Sequence, residues 1–196
     1  AVPCIEKTSS MYLCGELHMG NKAGLPQKIY LTKYGGNYQK YIDAVYEVFE
    51  EDFIKHTAKF GSHRLKMKYH PEFQDRAYTF YHMTHKGGIE NERLPDLRRC
   101  ECMPWARPTI EQVSTWSLKF WRQSRRKSDN RVCICLEKDD EDIDVDYFVI
   151  LEVRSTYVLL WTAFVSEWEN QTRKKLKEYK EWKTSAGENI NTPDEL

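Results

Sequence analysis

The strongest constraint in this sequence is the spacing of its last four β-prone runs, at about 115–123, 130–138, 146–154 and 156–165. The connections between them are short, and Ser155 alone separates the last two. A parallel return needs a dozen or more intervening residues, so runs this close must pair antiparallel. Val132, Ile134 and Leu136 alternate with other residues, as do Tyr147, Val149, Leu151 and Val153. That two-residue period fits strands with one face turned to a core. The final run, Tyr157–Val165, is apolar on both faces apart from Thr162, which predicts a central strand covered on two sides. Beyond it, Trp168, Leu176, Tyr179 and Trp182 form the stripe of a helix over about 166–183, and residues 184–196 read as a frayed acidic tail.

Upstream, Asn37 is a suitable N-cap for a long helix over about 38–59. Its apolar stripe would be Tyr41, Ile42, Val45, Val48, Phe49 and Phe53. Leu65, Met67 and Tyr69 then alternate with Arg64, Lys66 and Lys68 until Pro71 ends the run. Ala77 to His85 is a second extended candidate, with Tyr78, Phe80, His82 and Thr84 on one face. Residues 89–108 contain Pro95, Pro104 and Pro108 and read as irregular. Residues 1–36 carry two short strand candidates, Tyr12–Cys14 and Lys28–Leu31, amid glycines. The predicted architecture is α+β, one domain over 37–183: an N-terminal helix or helices packed on a four-stranded antiparallel sheet, with a C-terminal helix. Residues 1–36 would be an extension and 184–196 a flexible tail.

Aromatic residues make up 13% of the 196, which excludes a disordered or linker-type chain. No apolar run reaches the roughly 18 residues of a membrane span. The start, Ala1–Lys7, lacks the basic and apolar pattern of a signal peptide. With six cysteines read as free thiols, a cytoplasmic location is expected. Cys100/Cys102 and Cys133/Cys135 are each separated by one residue, where paired zinc ligands favour two to four. A Cys/His metal site with His82 and His85 is therefore a weak reading, and no metal or cofactor is expected. Net charge is zero, but residues 55–131 hold 17 basic against 8 acidic side chains. Such a block either contacts phosphates or pairs with acidic segments of the fold.

No phosphate-loop, dinucleotide, zinc-protease or serine-hydrolase motif occurs. The acidic run Asp139–Asp146 fits a solvated hairpin tip. Chemistry is left to the imidazoles of His82 and His85, to Arg93, Arg98, Arg99, Arg107 and Arg154, and to Thr162. The Thr162 hydroxyl must find a partner if buried, since an unpaired one costs about 1–3 kcal/mol.

Phe80-Tyr81-His82, the stretch Arg93–Glu101 with Trp105 and Pro108, and the run Tyr147–Arg154 followed by Tyr157–Phe164 resemble phage and prophage nucleases of the barnase–EndoU–colicin–RelE type. The resemblance spans roughly residues 40–182. It implies metal-independent RNA cleavage by attack of the 2′-hydroxyl on its own phosphate, by a toxin or effector acting on RNA and itself met by an inhibitor or host protein. It implies that His82 is the general base or acid, that Arg99 or its neighbour Arg98 clamps the phosphate, that Arg154 is a second cation, and that Thr162 orients the substrate. Trp161, Trp121 or Tyr157 would stack a base. The competing expectation is a catalytically inert phage accessory module that grips a host protein or nucleic acid, its aromatic residues serving an interface.

Overall fold

The fold comes from a computed structural model, which describes residues 24–123, 130–139 and 141–196. The strand candidate at Tyr12–Cys14, Cys4, Cys14 and most of the 124–130 connection lie outside them. Asn37 accepts a hydrogen bond from the Lys40 amide at 3.0 Å and caps helix α1, Tyr38–Phe49. The helix buries Tyr41, Ile42, Val45 and Phe49 and runs on as a wider turn over Glu50–Lys55. The Lys28–Leu31 candidate is not a strand: a 3-10 turn occupies Leu31–Tyr34.

The C-terminal runs form an antiparallel meander of β5 (Lys119–Arg122), β6 (Arg131–Leu136), β7 (Tyr147–Val153) and β8 (Val158–Val165). The sheet nevertheless has six strands, not four. Two come from upstream, β1 (Lys59–Phe60) and β2 (His63–Met67), giving the order β1-β2-β8-β7-β6-β5. Strand β2 lies parallel to β8, with Leu65 opposite Val158 and Met67 opposite Leu160. Loop length constrains only strands adjacent in sequence, so this long-range parallel pair left no local signal.

A second correction concerns Ala77–His85. It is not a strand but helix α2, Tyr78–Thr84, leading into a short strand β3, His85–Lys86. Strand β3 pairs with β4, Leu94–Pro95, and α3 (Leu97–Glu101) and α4 (Ala106–Glu111) follow. In the helix Tyr78 and His82 are one turn apart, with ring centroids at 4.4 Å. Seven residues are too few for periodicity to separate helix from strand. Tertiary bonds decide the matter. The Lys68 amide donates to the Thr79 hydroxyl at 2.8 Å, and the Thr79 amide donates to the Lys68 carbonyl at 3.0 Å.

The sheet is covered on both faces. On one side α1, α2 and α4 bury Phe49, Phe80 and Ile110 against Ile134, Val149 and Leu160. On the other, α5 (Glu169–Ser185) lays Trp182, Tyr179 and Leu176 over Trp121, Cys133 and Phe148. Residues 184–196 are docked rather than frayed. Lys183 Nζ donates to the Ile190 carbonyl at 2.7 Å, and Asp194 accepts from the Ser62 amide and hydroxyl, both at 2.7 Å. Gly187 ends α5 against the Trp182 ring, and a Cβ there would lie 2.4 Å from that ring. Gly187→Ala is expected to cost about 1–3 kcal/mol, read as a lower thermal midpoint. An unchanged midpoint would mean that the packing of Trp182 does not depend on this turn.

Candidate functional site

Three of the residues expected to be catalytic do meet. The Thr162 hydroxyl donates to the His82 backbone carbonyl at 2.8 Å, and Arg99 Nη1 reaches the same oxygen at 3.3 Å. Arg99 also donates to the His85 carbonyl at 3.3 Å and faces Asp96 at 3.5 Å. What they converge on is a peptide oxygen at the end of α2. The last carbonyls of a helix have no partner within it, so they need donors from elsewhere. Thr162 and Arg99 supply them.

The imidazole of His82 points away from that oxygen. It is 5% exposed, and its Nε2 lies 2.7 Å from Glu90 Oε1. Glu90 also faces Arg93 at 3.3 Å and interacts with the Tyr78 hydroxyl. The space beside the ring, walled by Lys68, Tyr78, Leu159 and Trp161, is about 10 Å³. That is too small for a phosphate group.

The other expected site residues lie elsewhere. Arg154 stands at the β7–β8 turn with its guanidinium on Glu152. Arg98 is exposed on α3, where its amide donates to Asp96 at 3.1 Å. Trp121 is fully buried beneath Tyr179 of α5, which corrects its expected role as a base-stacking residue.

Burial depresses the His82 pKa, and Arg93 adds to this, while Glu90 opposes both. His85 is also buried and is lowered to about 4, with Arg76 and Arg93 contributing. Burial alone would raise the Glu90 carboxyl, but His82, Tyr78 and Arg93 hold it below its ordinary value. The thiols of Cys100 and Cys102 are pushed up to about 12 by burial, so both are structural rather than nucleophilic.

The half-exposed surface lies on the α5 side of the sheet, along β8. The register shifts between Ile150 and Leu151, leaving Trp161 as an extra residue in a β-bulge. Alternation before the bulge and the shift at it put Tyr157, Leu159, Trp161 and Phe164 on one face, and all four are only partly buried. Each ring has a cation over it. Lys66 Nζ is 4.3 Å from the Tyr157 ring centre, and the Arg131 guanidinium is 4.3 Å from Trp161. The Arg99 guanidinium is 5.6 Å from Phe164. Beside this row Lys68 Nζ is 4.6 Å from the Tyr78 ring, and His82 lies edge-on to Trp161 at 6.1 Å. Leu65 packs into the core, so Arg64, Lys66 and Lys68 alternate onto this outer face. Its carboxylates are engaged, Glu152 by Arg154 and Glu90 by His82 and Arg93.

Lys66, Lys68, Arg131, Tyr78 and Phe164 were given no site role from the sequence. The alternation of cations with Leu65 and Met67 was the available signal for β2, whereas Arg131 and Phe164 are placed by cross-strand register. Comparison with protein-family models, with curated proteins and with solved structures finds no match to this chain.

Removing the Thr162 hydroxyl tests its structural role. Thr162→Val is expected to lower stability by about 1 kcal/mol, read by denaturant unfolding, because the His82 carbonyl keeps only Arg99. A variant as stable as the parent would show that the hydroxyl does not support α2. Stability should also fall with acid. Depressed folded pKa values mean that the unfolded chain binds more protons, so stability is whole above about pH 6.5 and drains as pH falls toward 4. For His85 the loss is at most roughly 3 kcal/mol, and His85→Gln is expected to flatten the profile over that window. An unaltered profile in the variant would assign the acid loss to other groups.

Proposed function

We propose that this chain binds single-stranded nucleic acid along the outer face of β8, with bases stacked on its aromatic row and phosphates held by the cations beside it. The observation that carries this reading is the juxtaposition of Tyr157, Trp161 and Phe164 on one strand face, each within 5.6 Å of a cation. Every base has a π-face that can stack on an aromatic ring or a guanidinium plane, typically for about 1–3 kcal/mol per base. The backbone requires positive charge near the rings, and Arg64, Lys66, Lys68 and Arg131 provide it. With Trp161 bulged out of register, Tyr157 to Phe164 spans about 20 Å at ~3.3 Å of strand per paired residue, enough for several nucleotides. The reading takes up the nucleic-acid branch of the expected accessory module.

RNA cleavage remains a second reading because one observation favours it: a carboxylate-held imidazole, His82–Glu90 at 2.7 Å, sits beside Trp161. Once side chains parted to admit a 2′-hydroxyl, such an imidazole could accept its proton. The roles expected of Thr162 and Arg99 find no support, since their donors are engaged by backbone oxygens.

The test is the anisotropy of a labelled oligouridylate of about eight nucleotides, within the range of known single-strand site sizes. Affinity is expected to fall steeply with salt, each phosphate neutralised adding about 0.7 to the log–log slope. Trp161→Ala should weaken binding roughly 5- to 100-fold while leaving the fold intact by circular dichroism. Absent binding, or binding indifferent to both salt and Trp161, would overturn the proposal. Incubation of the same RNA in EDTA covers the second reading: cleavage lost in His82→Ala supports it, and intact RNA removes it.

A further inference from the structure

The cationic surface does not end at Phe164. Phe164 is paired with Phe148, and two residues further along the ladder the Ser166 amide donates to the Asp146 carbonyl at 2.8 Å. Asp146 forms the floor of a groove of about 540 Å³ between the end of β6 and helix α5. Its walls include Lys138, Arg173, Leu176, Lys177 and Lys180, with Glu169 as the one exposed carboxylate among them. Asp146 does not neutralise them, because its carboxylate is turned inward: Oδ1 accepts from the Lys138 amide at 3.0 Å and Oδ2 from the Thr172 hydroxyl at 2.8 Å. Lys177 is 3.7 Å from Glu181 across open solvent, an arrangement that contributes little. Neither Lys138 nor Lys180 has an ion-pair partner among the described residues.

The spacing on α5 is informative. Arg173, Lys177 and Lys180 lie at i, i+4 and i+7 and share one stripe of the helix. Like charges at that spacing destabilise a helix by a few tenths of a kcal/mol per pair. Solubility alone would be served as well by alternating signs. Glu169 begins the same stripe, but four cations outnumber it around the groove, and with the half-buried Leu176 among them the lining complements a ligand that is both polyanionic and partly apolar.

We infer that this groove is a second subsite for the same nucleic-acid strand, holding the phosphates of the segment that runs past Phe164 toward α5. The inference rests on the proposed β8 platform and extends it: Lys138, Arg173, Lys177 and Lys180 neutralise backbone charge, and Leu176 supports a sugar or base. The strand then follows a single track, from the aromatic row at the β7–β8 turn to the basic stripe on α5.

Oligouridylates of about four and about twelve nucleotides separate the two subsites, both lengths lying within known single-strand footprints. The parent protein is expected to bind the longer oligomer at least 10-fold more tightly, with a steeper salt slope. Lys177→Glu combined with Lys180→Glu, both at the protein surface, should bind the short oligomer like the parent and lose the gain from length. A gain that survives in the double variant overturns the second subsite and leaves the platform standing. Failure of the parent to bind the short oligomer, with long-oligomer binding that ignores Trp161→Ala, overturns the platform and with it the single track.

Discussion

Strand β8 needs cover along both of its edges, and much of the fold follows from how the second edge is closed. One edge is fully taken by β7. On the other, β2 pairs only with Val158, Leu159 and Leu160. From Trp161 onward the strand would present bare amides and carbonyls, a template for unwanted pairing. Helix α2 lies there instead and is tied on at both ends. The Thr79 hydroxyl sits between the Lys68 amide at 2.8 Å and the Leu160 carbonyl at 3.4 Å, and the Thr162 hydroxyl holds the His82 carbonyl. Arg99 and Asp96 extend the tie to α3 and β4, since the Asp96 amide donates to the Thr84 carbonyl at 2.8 Å. The polar residues in this apolar neighbourhood are thus explained by helix-end and edge-strand bonding.

The same arrangement determines where function can reside. One face of the sheet is sealed by α1, α2 and α4 around a large core. The other is covered by α5 only over Trp121, Cys133 and Phe148, at the β5–β7 side. Among the described residues, these coverings leave a half-exposed strip along the α5-side face of β8. The aromatic rings on that strip are too large to leave bare, and Lys66, Arg131 and Arg99 cover them in part while keeping their own charges wet. A surface of this kind is stable alone yet able to exchange a cation–π contact for a base.

How much of this was legible in the sequence depended on the range of the interaction involved. The meander of β5–β8 was readable because Ser155 and the short polar connections allow only antiparallel neighbours. The Asn37 cap and the stripe from Tyr41 to Phe49 were readable because capping and helical period are local. The addition of β2 to β8 was not, since nothing near Leu65 points to Val158. Helix α2 was misread as a strand because Tyr78, Phe80, His82 and Thr84 also alternate, and the bonds that select the helix come from Lys68, Leu160 and Thr162. The expected site shared that defect. Thr162 and Arg99 do reach His82, but at its backbone carbonyl and not at the imidazole on which the expected chemistry depended, and chemical type alone could not show that.

Charge separation along the chain also has a structural outlet. The basic middle of the sequence supplies β2 and Arg131, and the acidic C-terminal part sends Glu167 to Lys86 and Glu137 to Lys119. Pairing therefore absorbs some of the imbalance. It does not absorb the cations beside β8, whose nearest carboxylates, Glu152 and Glu90, already have partners. Among the described residues Lys66, Lys68 and Arg131 have no ion-pair partner and stand beside half-exposed aromatic rings, where a polyanion would find both counter-charges and stacking partners. The coincidence of these cations with half-exposed aromatic rings is a stronger argument for the β8 face than either feature alone.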